Sequence, residues 1–511
     1  MPAEAVIAAC ATKKGADRDQ RRDRSVDVSQ HVSANLQPTI TPSSSGQLST
    51  SGYVAASIIC ISSQVIGNEY LRLHCGHLIV AFPGRVSLAC VRKRLTPLQV
   101  KTTEHPFRRV SKAVKLLFLG CALLFLQVGE VVASDAKPVP GVSATEIKIG
   151  NLMPYSGPAS GYSLLGKVEE AYFKKINDEG GINGRKIAFI SYDDAFSPPK
   201  SVEQTRKLVE SDEVFAIFSS PGTASNTATM KYLNQKKVPQ IFVTSGATKF
   251  GDPTRFPWTM GWIPHYQREG VIYGKHIISQ NPSAKIAILY QNDDFGRDYL
   301  AGLKEGLGER APEMLVAQAS YETSEPTISS SVITLKASGA DTLVVAAISK
   351  FATQAIRTVA ELAWKPTTYV SNTAATIDTT LKPAGLGNAV GIMSAAYRKD
   401  PEDPAWAKDP GMLEFFAFMD RHYPSGAKND IAALGYASAQ SLVYLLRQCG
   451  DDLTRENFMT QAANLRNVEV GLLLPGITMN TSPTDFVPID QFQMMRFNGE
   501  HWVLFGPILS P

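Results

Sequence analysis

Thr145 to Gly184 reads TEIKIGNLMPYSGPASGYSLLGKVEEAYFKKINDEGGING, and its order of elements decides the fold. Ile147 and Ile149 alternate with polar neighbours in a strand that ends at Asn151-Leu152-Met153, where a small, polar loop, Pro154-Tyr155-Ser156-Gly157-Pro158, begins. Leu165, Val168, Tyr172 and Ile176 then recur at intervals of three and four, which places them on one face of a helix. The helix stops at Asp178-Glu179-Gly180-Gly181, where glycine supplies a left-handed cap. Strand, polar loop and amphipathic helix form one unit of a sheet covered by helices.

The unit repeats along the chain that follows. Ile187 to Tyr192, Val214 to Phe218 and Gln240 to Val243 read as strands, with helices after Pro198-Pro199 and through Tyr232-Leu233. A second run begins at Lys285 to Tyr290, continues with a helix bearing Leu300, Leu303 and Leu307, and adds strands at Leu315 to Tyr321, Thr342 to Ala346 and Thr368 to Ser371. Strands alternating with helices of this length predict parallel sheets covered on both faces. Two such runs, divided near Trp262 to His265, predict an α/β protein with two doubly wound lobes.

Ligands of open α/β sheets bind beyond the carboxyl ends of the strands. Here those ends are Pro154 to Pro158, Ser219-Ser220-Pro221-Gly222-Thr223-Ala224-Ser225-Asn226 and Thr244-Ser245-Gly246-Ala247-Thr248. The latter two offer hydroxyls and, where a helix starts, free backbone N–H groups, so they can hold a carboxylate without an arginine. Each alone reads equally as a turn or a helix cap. Three at corresponding ends of one sheet predict a site in the crevice.

The 511 residues divide sharply in charge. Of the 51 Lys+Arg and 47 Asp+Glu, 16 and 8 precede residue 135, so the basic excess belongs to the front segment and the remainder is mildly acidic. A nucleic-acid binder concentrates positive charge on its folded part, so no nucleic-acid partner is expected. Cys10, Cys60, Cys75, Cys90 and Cys121 also lie in the front segment, and Cys449 alone follows it, so the body has no internal disulfide to form.

Residues 107–134 have the layout of a secretory signal peptide. Arg108, Arg109, Lys112 and Lys115 precede an apolar core from Leu116 to Val128, and Val131-Val132-Ala133 ends in a small residue. A lipid anchor at Cys121 would leave Ala122 to Leu126 on the mature protein and is disfavoured. Residues 1–106 carry no sustained helix or strand period and are expected to be a disordered or spurious extension. Met153 is the first methionine after Met1, so a true start at Val110 or Val114 would use a non-AUG codon. His74-Cys75-Gly76-His77 lacks a second set of ligands, and no metal site is expected there.

With these pieces in place, the chain resembles the type I periplasmic binding proteins, specifically the leucine/isoleucine/valine-binding family of ABC transporters. The resemblance runs from about Thr145 to Phe505 on Ser156 to Tyr162, Ile176 to Gly184, Tyr192-Asp193-Asp194, Val243 to Thr248, Asp293-Asp294-Phe295-Gly296 and Gly435-Tyr436-Ala437. It implies two lobes joined by a three-stranded hinge: 145–262 with 398–484, and 263–397 with 485–511. It implies that Gly222, Thr223, Ser245, Gly246, Ala247 and Thr248 hold a ligand carboxylate. Tyr162 and Phe295 would line the cleft as aromatics, with Ile348 and Thr373 as further contacts. Family members that bind amino acids place an acid where Thr373 stands; Ser371-Asn372-Thr373 has none. An ammonium buried without a counter-charge is costly, so either another carboxylate such as Asp293 or Asp294 reads it or the ligand lacks an amino group.

The resemblance further implies a monomeric periplasmic receptor that passes a small ligand to ABC permease subunits, with no cofactor. A sensory protein with the same lobes is the alternative. No GxxxxGK[ST], HExxH, CxxC or GxSxG occurs, and His265, His276, His422 and His501 are scattered, so no catalytic residue is assigned. Gly306-Leu307-Gly308 and Gly385-Leu386-Gly387 read as turns, Asp193-Asp194 and Asp293-Asp294 as helix caps, and Pro257 to Trp262 as either core or a cleft wall.

Overall fold

The computed structural model describes residues 139–510, together with the backbone of a short antiparallel pairing of Ala81–Phe82 with Arg85–Val86. The signal-peptide segment 107–134, Cys121, His74 to His77 and the remainder of 1–106 lie outside the described residues.

Two sheets organise the chain. The first contains β1 (Glu146–Met153), β2 (Lys186–Asp193), β3 (Ala216–Phe218), β4 (Gln240–Val243) and β5 (Thr259–Gly261), all parallel, in the order β2-β1-β3-β4-β5. The second contains β6 (Ile286–Gln291), β7 (Leu315–Tyr321), β8 (Thr342–Ala346), β9 (Thr367–Val370) and β10 (Met393–Ala396) in the order β7-β6-β8-β9-β10. Each run therefore winds in the same sequence about its first strand. The second sheet continues beyond β10 with antiparallel β11 (Phe492–Phe497) and β12 (Trp502–Leu509). Strands β3, β4 and β8 are buried along their whole length, which explains why they read as apolar runs without alternation.

Helices cover both sheets. In the first run these are α1 (Ser163–Asp178), α2 (Pro198–Arg206) and α3 (Thr223–Lys236). In the second they are α4 (Tyr266–Gln280), α5 (Asp294–Leu307), α6 (Ser329–Ala337) and α7 (Ser349–Glu361). After β10 the chain returns to the first lobe as α8 (Pro410–His422), α9 (Asp430–Gln448) and α10 (Arg455–Ala462). Tyr172 of α1 meets Phe418 of α8 and Tyr436 of α9 at ring separations of 5.5 and 5.2 Å, and Phe458 of α10 meets Phe215 at 5.1 Å. These are edge-on or tilted contacts of the kind aromatic quadrupoles favour.

The backbone passes between the sheets three times: after β5, after β10 and before β11. Each passage contributes one aromatic to a common cluster. Trp262 stands 6.1 Å from Tyr397, and Tyr397 stands 6.0 Å from Phe492. All three are buried, and the Trp262 indole N–H donates to Ser441 Oγ of α9 at 2.9 Å. Trp262 and Met260 are thus core, and Pro257 to Trp262 does not wall the cleft. Gly306 lies inside α5 and not in a turn.

Candidate ligand-binding site

Sequence places the loops after β3 and β4 side by side, and hydroxyl pairs fasten them. Ser219 Oγ lies 3.0 Å from Thr244 Oγ1, and Thr223 Oγ1 lies 2.7 Å from Ser245 Oγ. Gly222 precedes α3 at φ 103 and offers no side-chain cap, so the first amides of α3 keep no side-chain partner there. A Cβ on Gly222 would come 2.5 Å from Phe196 Cε2, so this position takes glycine for space as well as for dihedral. Phe196 itself has φ 57, as Ser219 has 54, which puts strained backbone in two of the first-lobe strand-end loops.

A cavity enclosing about 680 Å³, part of it open to solvent, lies between the two sheets at these strand ends. From the first lobe it receives Tyr162, Gly222, Thr223 and Thr244; from the second, Gln291, Phe295, Ile348, Asn372 and Thr373. Leu165, Phe196, Ile263, Tyr266, Ile431 and Leu434 add apolar wall. This is the balance of a small-molecule site, in which a few polar groups orient a ligand within an apolar enclosure. Tyr162 spans the gap: its hydroxyl donates to the Thr373 carbonyl at 2.9 Å and lies 3.4 Å from Ser349 Oγ. The lobes are in contact, and burial raises the affinity of the Tyr162 phenol for its proton, so it acts as a donor.

Six of the expected contact residues, Tyr162, Gly222, Thr223, Phe295, Ile348 and Thr373, meet at this cavity. Ser245, Gly246, Ala247 and Thr248 do not line it. Ser245 and Ala247 are buried behind Thr223, and the Gly246 carbonyl accepts the Tyr266 amide at 2.8 Å. Thr248 is engaged across the lobes: its amide donates to Asp298 Oδ2 at 2.7 Å and its hydroxyl to Oδ1 at 3.3 Å. Lys249 forms an ion pair with Asp294 beside it. Asp293 accepts from the Phe295 and Gly296 amides and from Gln291 Nε2, so it caps α5. Neither Asp293 nor Asp294 lines the cavity. Asp194 holds the Phe196 amide and Ser201 Oγ, while Asp193 holds Ser156, so this pair fastens loops rather than capping a helix.

Sequence reasoning passed over the polar end of the cavity. Tyr397, Arg398 and Asp430 line it, with Arg398 Nη2 at 2.6 Å from Asp430 Oδ1. It also passed over Glu269, which is fully buried yet saturated with donors: the hydroxyls of Tyr273 and Tyr299, and the amide and side-chain nitrogens of Asn372. Burial pushes Glu269 up to about 7 against these hydrogen bonds, which favour its charge. By gripping Asn372 it fixes the loop that carries Thr373. Among the described residues no group of three His, Cys, Asp or Glu is placed to hold a metal ion. None of the described helices is long and apolar enough to cross a membrane.

Residues 146–501 match the family model described as periplasmic binding protein. The chain belongs to that family. This binding protein is 25% identical over 353 residues to Leu/Ile/Val-binding protein homolog 1 of Brucella abortus, which covers 67% of this chain and 86% of that one. Its fold matches a branched-chain amino acid ABC transporter protein from Thermus thermophilus with bound valine at TM-score 0.64 and 14% identity, covering 72% and 98% of the two chains. It also matches a fatty acid ABC transporter substrate-binding protein from Thermomonospora curvata at TM-score 0.62 and 18% identity, covering 73% and 95%. The family is one of solute-binding proteins, and that role is the chain's.

Proposed function

We propose that this protein is the periplasmic solute-binding component of an ABC importer, and that its two lobes close on an amino acid or a related small carboxylate. The observation that carries the reading is the cavity between the strand ends, to which both lobes contribute and which Tyr162 bridges to Thr373. The lobes that close are 145–262 with 398–484 and 263–397 with 485–511. The Gly222-Thr223 start of α3 receives the carboxylate, because unpaired amides and the positive helix end favour an anion there. Phe295, Ile348 and Tyr162 enclose the remainder of the ligand, and closure is favoured only by contacts that both lobes make together. Export through residues 107–134 would deliver the protein to the permease as a monomer.

A thermal-shift screen against amino acids, aromatic acids and short-chain acids tests the reading, since a ligand bound only by the folded state raises Tm. At least one carboxylate is expected to raise Tm in a saturable manner, and Thr223→Ala to reduce that shift. A chain indifferent to every carboxylate would sink it. Uptake measured in a strain lacking the protein separates transport from sensing: intact uptake with lost induction would favour a sensor.

A further inference from the structure

Charge is unbalanced at the hinge end of the cavity. Asn372, Tyr397, Arg398 and Asp430 line both this cavity and a second one, which encloses about 520 Å³ on the other side of them. Arg398 and Asp430 therefore form a partition between two chambers. The Arg398 side chain is only 8% exposed; Nη2 meets Asp430, Nη1 donates to the Tyr397 hydroxyl, and buried Nε has no partner. Of the two Asp430 oxygens only Oδ1 is engaged. Asp400 lines the second chamber, and its Oδ1 accepts the Glu402 amide at 2.9 Å. Asp403 lines the same chamber, its Oδ1 accepting the Ala405 amide at 2.9 Å.

The neighbouring cations are committed elsewhere. Lys399 turns to Asp409 at 2.8 Å, and Lys382 serves Asp378 and Glu402. Among the described residues Arg398 is left as the cation lining a chamber that also holds Asp400, Asp403 and Asp430, so two carboxylates stand in excess of the charge available. Burial, together with Asp430, Glu402 and Asp403, pushes Asp400 up to about 7, so it retains a proton in partial relief of that excess. Trp406, Trp502 and Tyr397 complete the wall, and aromatic faces also favour a cation.

We propose that Asp430, backed by Asp400, reads the ammonium group of the ligand, so that this cleft selects amino-bearing carboxylates over plain carboxylic acids. The inference rests on the binding reading above and narrows it. It accounts for the missing acid at Thr373: the negative charge has moved from the β9 loop to the passage after β10 and the start of α9. An ammonium placed against Asp430 supplies the missing positive charge, and Asp400 then gives up its proton.

The test uses the full chain and matched pairs: leucine and 4-methylpentanoate, phenylalanine and 3-phenylpropanoate, 4-aminobutanoate and butanoate. For the pair that fits, the amino compound is expected to bind at least about tenfold tighter than its deaminated partner, as a desolvated charge contact warrants. Asp430→Asn is expected to erase that ratio while leaving the plain acid's affinity within about threefold. Calorimetry at pH 7 in phosphate and in Tris is expected to show proton release on binding the amino compound, and none in Asp400→Asn. Asp400→Asn removes no ion pair, so it remains informative if Asp430→Asn does not fold; an unchanged ratio and an unchanged proton count there overturn the proposal. Equal binding of both members of every pair that binds overturns it as well. So does an Asp430→Asn variant that weakens both members equally, or one that strengthens both because freed Arg398 grips their carboxylates. If the wild type binds none of the six, the proposal is overturned, whereas the binding reading falls only with a chain indifferent to every carboxylate in the thermal-shift screen.

Discussion

Gly222 is the residue on which the cleft is most exposed to a single change. Its φ of 103 and the Phe196 ring leave no space for a methyl group, so Gly222→Ala should shift the start of α3 and lower ligand affinity at least tenfold. Titration calorimetry on a folded variant, checked by circular dichroism, measures this. Glu269 makes a different prediction. The folded chain holds its proton up to about pH 7, whereas an unfolded glutamate releases it near 4.5. Its contribution is therefore full below 4.5, declines as pH rises, and is lost above about 7. Asp400 acts in the same direction, while His265, pushed down to about 3 by burial, acts in the opposite one below 6.5. Comparison of wild type with Glu269→Gln by urea denaturation at pH 5 and pH 8 isolates the glutamate: the wild type should lose on the order of 2 kcal/mol more than the variant between the two. Thr223 was legible because it opens a helix directly after a recognisable strand, whereas Tyr162 and Phe295 were legible only through the family resemblance. Arg398 and Asp430 were not, since they come from separate stretches that only the return of the chain to the first lobe brings together. A charged run directly after a buried strand, Arg398-Lys399-Asp400, was the one signal available.

Helices α4 and α5 are joined by glycines. A Cβ on Gly270 would lie 2.7 Å from the Tyr299 carbonyl oxygen and one on Gly274 2.8 Å from that of Leu303. Reciprocally, methyl groups on Gly302 and Gly306 would overlap the carbonyls of Gln267 and Val271. The two helices approach backbone to backbone, and this spacing carries Phe295 and Tyr266 to their 4.7 Å contact at the cavity. Gly302→Ala should cost about 3 kcal/mol, through overpacking against rigid backbone. Gly387→Ala, with open space around it, should be nearly neutral in the same thermal melt. Strand positions followed from apolar runs, and β4 and β8 fall where the sequence predicts them. The glycine pairs escaped notice because a glycine at a helix crossing and one in a turn look alike until the partner helix is known.

At the scale of the molecule, the two lobes are also joined by contacts away from the cavity. Asp298 on α5 receives both the amide and the hydroxyl of Thr248 from the facing lobe, and burial pushes its carboxyl up to about 6. Asp298→Asn should favour the open form, seen as a larger ligand-free radius of gyration by small-angle scattering. Affinity should weaken about fivefold, the worth of roughly 1 kcal/mol, with no ligand contact altered. The two-lobed plan itself was legible because each run repeats one pattern; the placement of α8 to α10 with the first lobe came only from the family resemblance, since helices without intervening strands carry no mark of the sheet they cover. The order of the second sheet has a consequence for biosynthesis. Its parallel strands are complete at Ala396, yet β10 gains its outer neighbour only when Phe492 to Phe497 arrives, close to the end of the chain. A nascent or truncated polypeptide stopping before residue 492 would present β10 as a bare edge, open to pairing with another copy. Pairing of Phe492 to Phe497 with β10, rather than synthesis of the last helix, is the step that closes this edge.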